Sequence, residues 1–314
     1  MPATSADVAK AAGVSRATVS QILNGRGGRF SPGTRERVER LARELQYEPS
    51  AAGRTLARGS SDFVIALIPN TTFGGNLQDL FEEATEQLAE QGLTLVLRLS
   101  TASPTSLDRV VAGMKPRAVL SLRPFTEAER GVLEERVIPH FDTSQGVDLN
   151  AVIGAMQARH LAERGYPRIA FAHLRDSRQD PYGAGREDGV RNACAELGLP
   201  APVILGAGID LDEAEGALAT LEPGFGVACY NDDLAITLLT ATHARGWRVP
   251  DELGLVGMDH TPLSQATSPR LTTVGYDVAA VARNTVTAAL LALGEGSAAQ
   301  FEDINLRVIA GGTS

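Results

Sequence analysis

The chain has 314 residues, 43% of them hydrophobic, enough apolar material for a small head plus one large or two medium α/β lobes. Its first residues, MPATSADVAKAAG, lack the apolar run of a secretory signal, and no stretch reaches the ~20 apolar residues of a spanning helix, so the cytoplasm is the expected location. The net charge of −9 hides an asymmetry: residues 1–60 hold ten Lys or Arg against five acids, the remainder 19 against 33, so a basic head on an acidic body fits a polyanion partner for the head alone.

In chain order, Asp7–Ala12 reads as a short helix stopped by Gly13. Val14-Ser15 makes a tight link, and Ser15 is the expected N-cap of a second helix, Arg16–Leu23, closed by Asn24-Gly25. Two short helices joined by a few residues with a glycine form a helix-turn-helix. In that motif the first residues of the second helix face base edges in the major groove. A third helix is expected from the cap Ser31 and the first-turn Pro32, with Val38, Leu41, Ala42 and Leu45 on its inner face.

These residues carry a family resemblance. Asp7-Val8-Ala9, Ala12-Gly13-Val14-Ser15, Thr18-Val19-Ser20, Leu23-Asn24-Gly25, Ser31-Pro32, Thr34 to Val38, Tyr47-Glu48-Pro49 and Ala51 to Leu56 resemble the head of the lactose/galactose repressor (LacI/GalR) family of transcription regulators. By position in the motif, Arg16, Ala17 and Gln21 are expected at base edges, since Arg pairs with guanine, Gln with adenine, and Ala packs on a thymine methyl. Ser15, Thr18, Ser20, Asn24 and Thr34 carry the small donors that position phosphates. The loop Arg26-Gly27-Gly28-Arg29-Phe30 is one residue longer than the family's usual one, and Arg29 is expected on a phosphate. Residues 50–58 resemble the family's hinge helix, which orders on the operator and enters the minor groove. There Leu56 takes the wedge position that kinks the duplex, and Gly53, replacing the usual Ala, weakens the helix by about 0.8–1 kcal/mol. The same residues also read as an ordinary linker.

Beyond residue 60, apolar strands alternate with amphipathic helices, the pattern of parallel sheets covered on both faces. Strands are expected at Phe63–Ile68, Thr94–Leu99, Ala118–Leu122, Val137–Phe141, Arg168–Ala172, Gly226–Tyr230 and Leu253–Gly257. Helices are expected near Leu77–Gln91, Ser106–Met114, Thr126–Glu135, Asn150–Arg164, Arg186–Leu197 and Leu234–Arg245. The fold class is therefore a small all-α helix-turn-helix head plus an α/β body of two Rossmann-like lobes. The resemblance continues through Arg164 to Phe171, Arg186 to Gly189, Asn231-Asp232, Arg248 to Glu252, Gly257-Met258-Asp259 and Ser268 to Val274. It implies the clamshell of periplasmic sugar-binding proteins.

The expected domains are a reading head (1–49), a hinge (50–60) and an effector-binding and dimerisation body (61–314). Lobe 1 would take about 61–147 plus part of 275–314, and lobe 2 about 148–274. Ligands in such sheets sit beyond the carboxyl ends of strands. The resemblance places the effector at Arg186, Asn231 and Asp259, with Asp142 after its strand and Phe73 as a stacking ring. Two carboxylates and a forked guanidinium suit a hydroxyl-rich ligand, or one with a carboxylate or phosphate, though each residue also fits a loop cap or ion pair. His260 stands where the family often has a second Asp, and the connection from Asp142 to Asp148 is short, so a degenerate pocket stays open, as does the choice between inducer and corepressor.

Other chemistry finds no support in the motifs. There is no P-loop, GxSxG or HExxH, and the five His residues show no metal-ligand spacing. Gly183-Ala184-Gly185 with Gly189 falls one residue off GxGxxG. Cys194 and Cys229 read as packing thiols. The expected partners are double-stranded operator DNA, a small-molecule effector and a second copy of the chain. A dimer is favoured over a tetramer because the C-terminus lacks a heptad repeat, and no cofactor is expected.

Overall fold

The computed structural model describes residues 3–24, 27–48, 55, 59–69, 75–100, 104–142, 149–175, 182–294 and 301–314. Gly53, Leu56 and Phe73, like most of the expected hinge, lie outside the described residues. Packing divides the chain into two compact units: Met1–Phe63 with Arg109–Arg117, and Val64–Asp108 with Ala118–Ser314.

In the first unit, helices α1 (Ser5–Ala12), α2 (Arg16–Leu23) and α3 (Pro32–Glu44) form the head. Helix α1 starts earlier than expected because Asp7 works from inside its first turn. Thr4 N and Oγ1 donate to the Asp7 carboxylate at 2.8 and 2.7 Å, the reach-back of a capping box, and these bonds lower its pKa. Gly13 closes the helix at φ +65°, a conformation glycine adopts without a Cβ clash. Ser15 Oγ accepts from Thr18 N at 3.0 Å and Ser31 Oγ from Thr34 N at 3.3 Å, so both expected caps are in place. Val8, Ala9, Ala12, Val19, Ile22, Val38 and Ala42 form the core, with Phe30, Leu41 and Tyr47 against it. Leu45 does not join them. It is the C-cap of α3 and is exposed, and Tyr47, carried back by its N–H bond to Ala42 O at 2.8 Å, packs on that side of the core instead.

The second unit holds two sheets. The first has the order β2-β1-β3-β4, from β1 (Phe63–Ile68), β2 (Thr94–Leu99), β3 (Ala118–Ser121) and β4 (His140–Phe141). Helices α4 (Gly75–Glu90), α5 (Pro104–Met114), whose residues from Arg109 on group with the first unit, and α6 (Glu127–Glu135) alternate with these strands in sequence. The strand expected at Val137–Phe141 shortens to two residues. Val137 is exposed at φ +55°, a turn conformation that unwinds α6 before Pro139 sets the chain for pairing.

The second sheet has the order β10-β9-β8-β7-β5-β6. Its strands are β5 (Arg168–Leu174), β6 (Val203–Ala207), β7 (Phe225–Cys229), β8 (Leu253–Met258), β9 (Thr272–Gly275) and β10 (Arg307–Ile309). All neighbours run parallel except β10, which returns antiparallel to β9. Helices α7 (Leu149–Glu163), α8 (Gly183–Glu196), α9 (Leu211–Leu218) and α10 (Asp232–Ala244) flank it. After β9 the chain crosses back to the first sheet as α11 (Val278–Ala292), where Val286 and Ala289 pack with Val64, Ala84, Leu88 and Leu120. It then returns to β10 on the second sheet. Both cysteines are buried and free.

Helices α7 and α8 touch backbone to backbone. A Cβ on Gly154 would lie 1.9 Å from Arg186 O, and one on Gly189 2.0 Å from Ala151 O. The glycine series that nearly matched a dinucleotide fingerprint is thus partly a packing device: Gly189 lets the helix carrying Arg186 settle against its neighbour.

Candidate nucleic-acid interface and ligand cleft

The outer face of α2 carries the residues expected at DNA. Ser15, Arg16, Ala17 and Ser20 are exposed, while Thr18, Gln21 and Asn24 are half-buried. Several of their polar atoms are held by local bonds: Ser15 Oγ with Thr18 Oγ1 at 2.9 Å, Asn24 Nδ2 to Ser20 Oγ at 3.2 Å, Arg16 Nε to Ser5 Oγ at 3.4 Å. The Asn24 side-chain oxygen is buried without a partner among the described residues. Thr34, at the start of α3, shares a 2.9 Å hydroxyl bond with Ser31. Arg29 donates to Gln21 Oε1. These are short-range bonds at the surface, which a phosphate or base edge replaces at small cost.

The second candidate site forms where strands of both sheets end. Arg186, in the first turn of α8, is buried beneath the surface. Its Nη1 donates to Tyr230 O and its Nε to Asn150 Oδ1 at 3.3 Å. Its guanidinium carbon stands 4.9 Å from the Tyr230 ring centre and 5.6 Å from that of Tyr182, within reach of cation–π attraction. Asp259 follows β8 in a half-buried position, with φ +108°, a backbone state uncommon for a residue with a side chain. That conformation is pinned from both sides, because Asp259 N donates to Val274 O at 2.9 Å and Asn76 Nδ2 donates to its carbonyl.

The Asp259 carboxyl is pushed up to about 7, chiefly by burial; the Arg186 charge opposes the shift, and Asp232 and Asp233 add to it. Tyr182 is pushed up to about 12, chiefly by burial, and burial likewise raises Tyr276, with the Asp259 charge adding to it. Both phenols therefore stay protonated as donors. The cluster thus brings a guanidinium, a carboxyl with a raised pKa and protonated phenols together, a set that suits a small polar ligand.

The expected residues do not all converge. Arg186 and Asp259 lie close enough for the guanidinium charge to lower the carboxyl's pKa. Asn231 lies beside them in sequence order after Tyr230, but its Oδ1 caps α10, accepting from Leu234 N at 3.0 Å. Asp142 is bound into the first sheet's own loops, with Oδ2 accepting from Phe125 N at 2.8 Å and Arg130 Nη2 at 2.9 Å. Tyr182, Tyr230, Tyr276 and Asn76 join the cluster although sequence reasoning passed over them. Tyr230 and Tyr276 are each the first residue after a strand, a position the sequence hid, because the apolar run there continues through Tyr230 and the short strand before Tyr276 has no clear pattern. Asp232, two residues beyond Tyr230, is buried and takes Thr273 Oγ1 at 2.6 Å, Thr261 N at 2.7 Å and Thr261 Oγ1 at 3.1 Å. It ties the start of α10 to the loop that carries Asp259.

Residues 4–50 match the model of bacterial regulatory proteins of the lacI family, and residues 158–314 that of the periplasmic binding protein-like domain. The chain is 31% identical over 300 residues to the HTH-type transcriptional regulator GalS of Salmonella typhimurium, covering 88% of this chain and 86% of that one. It is 29% identical over 312 residues to the HTH-type transcriptional regulator GalR of Escherichia coli, with 92% and 88% covered. A crystal structure of the Lac repressor dimer bound to operator and the anti-inducer ONPF superposes with a TM-score of 0.78 at 20% identity, over 100% of this chain and 99% of that one.

Proposed function

We infer the mechanism from one premise: the chain belongs to the lacI family of bacterial regulatory proteins and is a DNA-binding, ligand-responsive transcription regulator rather than an enzyme. We propose that it represses from a pseudo-palindromic operator as a homodimer in the cytoplasm. Residues 1–49 would read, 50–60 would form the hinge, and 61–314 would sense the effector and dimerise. In the head, Arg16, Ala17 and Gln21 address base edges, and Ser15, Thr18, Ser20, Asn24 and Thr34 hold phosphates. Gly53 and Leu56 act in the hinge at the minor groove. The effector is a sugar or another small polar metabolite, held by Arg186 and Asp259, with Phe73 as a stacking ring. Asn231 and Asp142 shape the walls of the site rather than supply its charge.

The observation that carries this reading is the cluster of buried Arg186, half-buried Asp259 and the tyrosines at the strand ends. Buried charge of this kind is costly unless a partner or ligand satisfies it. Ligand binding moves the regulator only if one closure state of the lobes is preferred, since equal affinity for two states shifts nothing.

The test has two stages. A thermal-shift screen with sugars, sugar phosphates and nucleobases identifies a binder, and operator binding is then titrated with it for wild type and Arg186→Leu. The wild type should change affinity by about 1–3 kcal/mol of coupling, with the sign separating inducer from corepressor, and Arg186→Leu should lose that response. A folded, DNA-binding Arg186→Leu chain that responds at the same ligand concentration would place the effector elsewhere.

A further inference from the structure

The turn between α2 and α3 bears directly on how the head addresses a base. Gly27–Arg29 wind into one turn of 3-10 helix packed so closely on α2 and α3 that a Cβ on Gly27 would sit 3.4 Å from Ile22 Cα and 3.1 Å from Arg35 Cδ. Arg29 ends that turn, exposed, with its guanidinium carbon 5.0 Å from the ring centre of Phe30. Phe30 is itself packed against the head core. From this stacked position Arg29 donates to the side-chain oxygen of Gln21 on α2.

A carboxamide has one accepting and one donating pole. To span adenine in the major groove, glutamine uses both, accepting from N6 and donating to N7. A guanine edge offers acceptors only, N7 and O6, and thymine offers O4. With Gln21 Oε1 engaged by a guanidinium, the pole of the carboxamide left to meet a base is its NH2 donor, beside the remaining N–H groups of Arg29. The bond is charge-assisted and therefore stronger than one between neutral groups.

We propose that Arg29 is a positioning residue that clamps Gln21 as a donor, so that the pair reads a guanine or other keto edge where an unclamped glutamine reads adenine. The loop residue that looks like a phosphate ligand thereby sets specificity through its neighbour. This inference rests on the proposed placement of α2 in the major groove.

The experiment is selection of binding sites from a random duplex pool by the full-length chain, for wild type, Arg29→Met, Arg29→Lys and Gln21→Ala. Wild type should enrich guanine or thymine at one symmetric position per half-site. Arg29→Met should move that single position toward adenine by about tenfold or more and leave the others unchanged. Arg29→Lys keeps the charge but not the planar fork, so it should hold overall affinity and relax the same position, while Gln21→Ala should flatten it. Wild-type selection of adenine there would overturn the proposal. So would an Arg29→Met chain that binds every sequence more weakly to the same degree, with a salt slope shallower by about 0.9 for each phosphate released, because Arg29 would then be a phosphate ligand. If wild type enriches no symmetric site, the operator reading itself falls, and this inference with it.

Discussion

In the head, Arg16, Asn24 and Thr34 bond to partners 11, 4 and 3 positions away, all at the surface. In the second unit, Arg186 reaches partners 36 and 44 positions away, and Asn76 meets Asp259 across 183. The contrast separates two ways of preparing a binding surface. Exposed polar groups already satisfied by local bonds or water exchange them for a ligand at little net cost, so the head can adapt to whatever edge it meets. Polar groups inside the cleft must be satisfied by the protein before any ligand arrives. That requirement fixes their geometry and couples it to the packing of both sheets.

The largest test of that contrast is Gly189→Ala. Its Cβ would fall 2.0 Å from Ala151 O, so α7 and α8 must part, and stability should drop by about 3 kcal/mol, read by urea denaturation. Loss of under about 0.5 kcal/mol would mean that the helices slide freely and that Arg186 is not held by their contact.

A pH effect of comparable size is confined to the cluster around Arg186 and Asp259. Asp259 sits near about 7 when folded, raised by burial from its ordinary 3.8. Between these values the folded chain keeps a proton that the unfolded chain has released. Stability should therefore fall as pH rises from about 4 to 7 and level off above, by at most about 1.4 kcal/mol per pH unit from this group. Asp259→Asn should flatten that part of the profile. An unchanged profile would show the carboxyl to be well solvated.

Effects in the head should be smaller, because its determinants are local. Ser31→Ala removes the acceptor for Thr34 N and should cost about 1 kcal/mol, seen as faster amide exchange through α3. Gly33→Ala should act in the opposite direction. A Cβ there meets nothing within 4 Å, so the helix should gain a few tenths of a kcal/mol, up to about 1. A destabilised Gly33→Ala head would reveal packing that the open space at this position argues against.

Much of the architecture was legible for the same reason that the head's effects are local. Ser15, Ser31, Pro32 and Gly13 act on the backbone within one turn of themselves, so their roles follow from spacing alone. The apolar runs of β1, β5 and β8 were equally plain, since strands covered on both faces are apolar throughout. Elements with weaker patterns escaped notice. Strand β6 is a short edge strand interrupted by Gly206, and α11, pressed between the first sheet and α4, is rich in Ala, Val and Thr rather than clearly amphipathic. The run at Val137 misled because its apolar residues belong to a turn and not to a buried strand.

By itself the amino-acid sequence determined the capped helix-turn-helix, the alternation of strands and helices, and which residue types stand at the strand ends, because each depends on neighbours a few positions away. Only the tertiary structure decided which of those residues meet. It drew Arg186, Asp259, Tyr182 and Tyr276 into one cluster and left Asp142 bonded to Arg130. It also turned Arg29 toward Gln21. Meetings of this kind depend on how sheets and helices pack across long stretches of chain, and pairing rules for adjacent residues hold no information about them.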